Sequence, residues 1–212
     1  MTPKGIVAAL VALAVGLVAG ILVGGVGGGS DLPGDTSVDA GFSRDMQSHH
    51  DQAVEMSYIV RDRTDDEQVR SIAYDIARTQ ADQSGQMAGW LQSWGLTPTG
   101  SQPVVAWMAG HDHGSASGAT GEYTESTMPG MASRNELDAL QKASGKDAEV
   151  LYLRLMIRHH QGGVPMAEAA VAGADRPEVR RLAQSIIDSQ TAEVGTMTTM
   201  LEERGGSPLP AP

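Results

Sequence analysis

Two short stretches of this 212-residue chain carry the same four side chains at the same spacing: MQSHHDQAVEM, from Met46 to Met56, and MIRHHQGGVPM, from Met156 to Met166. Each sets a histidine pair, His49 with His50 or His159 with His160, between two methionines. Imidazole and thioether together, without thiolate and with few carboxylates facing the same way, are the donor set expected for copper, Cu(I) especially. The chain has no cysteine. That removes disulfides, thiolate zinc sites, iron–sulfur clusters and thiol nucleophiles, and leaves methionine as the soft ligand. A carboxylate di-iron centre needs Glu-x-x-His pairs on facing helices, and the sequence contains no such pair. The zinc-hydrolase signature His-Glu-x-x-His is missing as well.

On a helix turning by ~100° per residue, Met46, His49, His50, Ala53 and Met56 share an arc of about 120°, the width of a core-facing stripe. The motif therefore points inward, and Met156, His159, His160 and Met166 do the same from the second copy. Met87 and Met197 fall at helical spacing on the helix that follows each motif. The connection between the copies supplies Met108, His111 and His113 in WMAGHDHG, then Met128 and Met131 in MPGM. Packing is the competing reading: methionines at helical spacing commonly fill cores, and buried histidines can be satisfied by hydrogen bonds to Gln80, Gln190, Asp39 or Glu149. That reading is weaker for the five connection residues, which lie in a Gly- and Ser-rich stretch expected to be mobile. Ligating imidazoles must be neutral, so binding is expected to weaken on acidification.

The elements that position these residues follow from an internal repeat. Residues 42–95 slide onto 152–205 without a gap, matching both motifs and continuing through Val69/Val179, Ala73/Ala183, Ile76/Ile186, Gln80/Gln190, Met87/Met197, Leu91/Leu201 and Gly95/Gly205. Each copy reads as a helical hairpin whose second helix carries apolar residues at helical spacing. Asp65 with Gln68, and Asp175 with Glu178, read as capping boxes; Pro177 suits a first turn, and Gly95 and Gly205 suit helix ends. A lone hairpin cannot cover its apolar face. Two copies pair, which predicts an all-α fold: an antiparallel four-helix bundle with a pseudo-twofold axis. The expected organisation is a membrane anchor or signal sequence over 1–28, a linker over 29–38, the bundle over 39–205 and a disordered tail over 206–212. Within the bundle, repeat one covers 39–95, the crossover 96–145 and repeat two 146–205. The stretch SRNELDALQKASG, 133–145, adds a short helix.

From Ile6 to Val26 there is no charged side chain, and about 21 residues at ~1.5 Å each span a bilayer core of roughly 30 Å. Lys4 precedes this segment and Asp31, Asp35 and Asp39 follow it, which predicts a single-pass anchor with the body outside the cell. Cleavage as a signal peptide, which would release a secreted protein, is the competing outcome. Ala8, Ala12, Gly16, Gly20, Gly24 and Gly28 recur every fourth residue, a stripe suited to a membrane-protein partner or a homodimer. The net charge of -11 argues against nucleic acid and favours cations as partners.

At the paired Met-x-x-His-His segments the chain resembles the domain of unknown function 305 family, ferritin-like four-helix proteins of the bacterial envelope. The family pattern falls here on Asp39, Met46, His49, His50, Ala53, Met56, Gln80 and Met87, then on Glu149, Met156, His159, His160, Met166, Ala167, Gln190, Glu193 and Met197; MPGM fits too. Gln83 stands where the family has Glu, Ser57 replaces Ala, and Gly163 and Pro165 interrupt the second motif. A proline inside a helix costs about 3 kcal/mol or kinks it, so the second copy is expected to bend. The resemblance implies copper binding and copper tolerance. Residues and resemblance together predict a membrane-anchored, extracytoplasmic protein that sequesters or delivers Cu(I) and is not an enzyme. A non-metal accessory subunit of a membrane complex and a ferritin-like redox enzyme are the alternatives.

Overall fold

The computed structural model describes residues 32–109 and 128–212, and among these the structure is helical with no strand. Four long helices carry it: α1 (Val38–Arg61), α2 (Glu67–Ser93), α4 (Gly145–Gly173) and α5 (Pro177–Glu203), with a short α3 (Arg134–Lys142) before α4 and a 3-10 turn at Ala106–Met108. Helix α1 packs along α2, α4 packs along α5, and α1 lies against α4. The starts of α2 and α5 stand 110 residues apart, as do their ends. No helix among the described residues is long and apolar enough to cross a membrane; the expected span 6–26 and its glycine stripe lie outside them.

Local chemistry explains the boundaries and corrects two of the expected caps. Ser37 opens α1 by accepting from the Ala40 N–H, and Ser133 forms a capping box with Glu136 at the start of α3. Helix α2 is capped by Asp66, which accepts from the Val69 N–H at 2.9 Å, not by Asp65. At the equivalent place before α5 stands Arg176, which has no acceptor to offer. The carboxylate of Asp39 in α1 takes over from across the interface, accepting from the N–H groups of Asp175 and Arg176 at 3.2 and 2.9 Å. Pro177 fills the first turn of α5 as expected. Gly95 and Gly205, both at φ 72°, end α2 and α5 in the left-handed conformation that glycine adopts without strain. Helix α4 continues through Pro165 instead of stopping there.

The described ends of the crossover, 96–109 and 128–132, are pinned, whereas the rest of the segment expected to be mobile lies outside the described residues. Asp45 accepts from the Val105 N–H and from Trp107 Nε1, both at 2.7 Å, and Arg44 donates to the Thr97 carbonyl at 3.0 Å. Trp107 is buried edge-on against Phe42. At the far end, Met128 is buried and the Gln52 carboxamide holds Ala132, donating to its carbonyl at 2.9 Å and accepting from its N–H at 2.6 Å. This strap, Met128–Ala132, lies on the backbone of α4: a Cβ on Gly162 would collide with Pro129, and one on Gly130 would stand 2.5 Å from the Arg158 carbonyl oxygen. Buried aromatic, methionine and carboxamide side chains tie down what composition alone marks as loose.

The core consists of two apolar clusters. One contains Phe42, Met46, Met87, Leu91, Trp94, Trp107, Met128 and Met166; the other contains Met56, Val69, Ile76, Leu140, Tyr152, Met156, Met197 and Leu201. Because Gly130 combines φ 79° with backbone atoms in the way of any Cβ, Gly130→Ala is expected to destabilise the protein by about 1–3 kcal/mol. Urea unfolding followed by circular dichroism checks this; an unchanged midpoint would mean the strap does not seat on α4.

Candidate metal centre

The inward arc of α1 and α4 buries His49, His50, His159 and His160 completely. The rings of His49 and His159 meet across the helix interface with centroids 3.8 Å apart and planes inclined by 35°. Each ring uses Nε2 for one hydrogen bond. His49 donates to the carbonyl of Pro129 at 3.0 Å, His50 to Gln83 Oε1 at 2.8 Å, His159 to the carbonyl of His49 at 2.9 Å, and His160 to Glu193 Oε2 at 2.7 Å. All four partners are acceptors, so Nε2 carries a proton in every ring, and in each neutral ring the lone pair sits on Nδ1. All four Nδ1 atoms are buried without a hydrogen-bond partner. These acceptors are not the ones expected: Gln80, Gln190, Asp39 and Glu149 bind none of the rings. Asp39 caps α5, and Glu149 accepts from Thr64 and Arg204 at 2.6 and 2.8 Å. Both amide atoms of Gln80 and of Gln190 are instead buried and unpartnered.

The six methionines of the repeat are also fully buried, but they divide. Met46, Met87 and Met166 belong to the cluster with the tryptophans, and Met56, Met156 and Met197 to the other. The 110-residue offset exchanges the two sets. Gly163 matters to this layer, because a Cβ there would stand 2.6 Å from Gln190 Oε1 and 3.2 Å from His49 Cε1. Its replacement of Ala53 in the second motif keeps space beside the ring and the carboxamide. Among the described residues no group of three or more His, Asp or Glu side chains is disposed to hold a metal ion. A centre in this layer therefore needs thioether donors beside the orphaned imidazole nitrogens, which is the donor chemistry of a soft cation such as Cu(I).

Of the connection residues, Met128 is buried in the first cluster and Met108 and Met131 pack against it. A packing role accounts for these three better than composition suggested. His111 and His113 lie outside the described residues. Sequence reasoning had singled out Gln83 and Glu193 only as family positions; their place 33 residues beyond His50 and His160 is a usable signal once both are seen as acceptors. The Pro129 carbonyl is a backbone group and left no such trace.

Loss of hydration pushes His49 down to about 4 and His50 down to about 3, with a neighbouring imidazole adding to the effect in each case. The same burial holds His159 well below the ordinary imidazole range. These rings are neutral at physiological pH, as ligation requires, and proton competition is displaced downward to about 4 at His49 and about 3 at His50.

Residues 39–201 match the family described as Domain of unknown function (DUF305). The chain belongs to that family. It is similar to the crystal structure of a presumptive secreted DUF305 protein from Streptomyces coelicolor, at 47% identity and TM-score 0.74, covering 84% of this chain and 99% of that one. A DUF305 fragment from Deinococcus radiodurans is 34% identical at TM-score 0.63, over 78% of this chain and 96% of that one. CopM in its Cu(I)-bound form is 26% identical at TM-score 0.58, over 79% and 98% of the two chains, and its Cu(II)-bound form gives similar values. No protein of curated function matches the chain.

The depressed imidazoles make the metal-free protein acid-sensitive. Unfolded histidines take up protons as pH falls through 6.5, whereas folded His49 and His50 do so only near 4 and 3. Between those values the unfolded chain binds more protons, so stability falls as pH falls. From pH 7.5 to pH 5 the expected loss is about 2 kcal/mol for each of these two rings. Urea midpoints at the two pH values test it, with a smaller difference expected for His50→Asn; equal midpoints would refute buried neutral rings.

Proposed function

We propose that this protein binds copper as Cu(I) outside the cytoplasm, for sequestration or for hand-over to a partner. The observation that carries the reading is the set of four buried imidazoles whose Nε2–H groups are committed to acceptors while every Nδ1 is left bare. A core built only for packing would be expected to satisfy such atoms, since each buried unpaired polar group costs about 1–3 kcal/mol. Six buried thioethers flank the layer, and the similarity to CopM, solved with Cu(I), Cu(II) and silver bound, supports the same cargo here.

In this reading the two hairpins form a ferritin-like antiparallel four-helix bundle descended from one duplicated unit, spanning 39–205. His49, His50, His159 and His160 ligate through Nδ1 together with Met46, Met87 and Met166 on one side and Met56, Met156 and Met197 on the other. Of the connection residues, His111 and His113 serve capture and transfer, while Met108, Met128 and Met131 pack in and against the first cluster. The apolar segment 6–26 acts as the anchor that holds the domain outside the membrane, in line with the presumptive secreted relative, and its glycine stripe is where a membrane partner or second copy would dock.

Anaerobic titration against a chromophoric Cu(I) chelator tests the assignment. Replacing the four histidines with glutamine should weaken uptake by more than the roughly 10- to 100-fold typical of losing an outer partner of a ligand. Trp94 and Trp107 belong to the Met46, Met87 and Met166 cluster and Trp90 packs against it, so bound copper should also quench tryptophan emission. Unchanged affinity in the histidine variant, or copper bound with emission intact, sinks the assignment.

A further inference from the structure

At the 110-residue offset the donors of the buried layer repeat without change: Met46 with Met156, His49 with His159, His50 with His160, Met56 with Met166 and Met87 with Met197. The groups that orient the imidazoles do not repeat. His49 and His159 donate to backbone carbonyls, and His50 donates to the carboxamide of Gln83. His160 alone donates to a carboxylate, Glu193, at 2.7 Å. Gln83 and Glu193 are themselves an offset pair, so one geometry holds a neutral partner in one half and an anionic partner in the other.

That difference reaches the metal-binding nitrogen. A carboxylate accepting the Nε2–H pushes electron density into the ring and makes the Nδ1 lone pair the better donor. It also sets a negative charge one ring away from the cation in a region where water screens poorly. A carboxamide orients its ring equally well but supplies only a dipole. The Glu193 side chain is 24% exposed, so solvent reduces the difference without reversing its sign.

We propose that the two halves fill in sequence, the half containing His160 and Glu193 taking a soft univalent cation first and the half containing His50 and Gln83 taking one second and more weakly. This rests on the copper-binding reading and adds to it which half retains its ion and which exchanges it. A store with one tight and one labile position can give up copper to an acceptor without emptying.

The test uses the full chain with Ag(I), a diamagnetic univalent probe, followed by long-range 1H–15N spectra of labelled imidazoles and by competition titration. The first equivalent should shift His160 and leave His50 in place, the second should shift His50, and the two steps should differ by roughly 10- to 100-fold. Glu193→Gln should merge the steps by weakening the first, and Gln83→Glu should merge them by strengthening the second. The double variant Gln83→Glu with Glu193→Gln keeps the residue set and should reverse the order, which preserves the test where one single variant folds poorly. Simultaneous shifts in the native chain, or an unchanged order in the double variant, overturn sequential filling. Failure of the native chain to take up either Ag(I) or Cu(I) overturns the copper-binding reading itself.

Discussion

Four imidazoles removed from water between α1 and α4 impose the condition that the surrounding structure meets. A buried ring N–H must find an acceptor, and these four find theirs in different elements: the strap before α3, helix α2, the backbone of α1 and helix α5. The layer is thus a junction, in which each ring fastens its own helix to another segment. The remaining nitrogens have no such outlet. Four Nδ1 atoms and both amide atoms of Gln80 and Gln190 stay buried and unpaired, an unusual concentration for an interior in which most buried polar groups are satisfied. Such atoms are costly to bury without a partner.

Keeping the layer dry and polar at once requires seals on both sides. The two apolar clusters supply them, each with three of the repeat's fully buried methionines. Carboxylates that could have drawn water or hard cations inward are spent at the ends. Asp39 caps the start of α5, and Glu149 joins Thr64 to Arg204, which also pairs with Asp66 at 2.9 Å. Among the described residues, Glu193 is the one carboxylate that hydrogen-bonds a ring of the layer.

The strap shows how closely the layer is covered. Pro129 lends its carbonyl to His49, and glycine at 130 and 162 lets two backbones approach more closely than any Cβ permits. Gln52 then holds Ala132, at the end of the strap, through the nitrogen and the oxygen of its carboxamide. A segment rich in Gly, Ser and Pro reads in sequence as loose, because composition reports intrinsic freedom and not the contacts that remove it. The same blindness places the cap of α2 at Asp65 instead of Asp66 and expects a second cap at Asp175, where Arg176 takes the cap position without a side-chain acceptor; neighbouring aspartates give nearly the same local signal, and the substitute, Asp39, is remote in sequence.

Helical periodicity and the doubled Met-x-x-His-His motif are local properties, and from them alone the chain determined its helical class, the hairpin units and the inward face of both motifs. Those features depend on spacing along one helix, where geometry is set by about 3.6 residues per turn. Tertiary structure decided what spacing cannot encode: that Nε2 and not Nδ1 is consumed in every ring, that Gln80 and Gln190 are left unpartnered, that the methionines separate into two sets, and that His50 and His160 meet partners of different charge. Each of those outcomes is a contact between residues far apart in the chain, and such contacts exist only once the hairpins have packed.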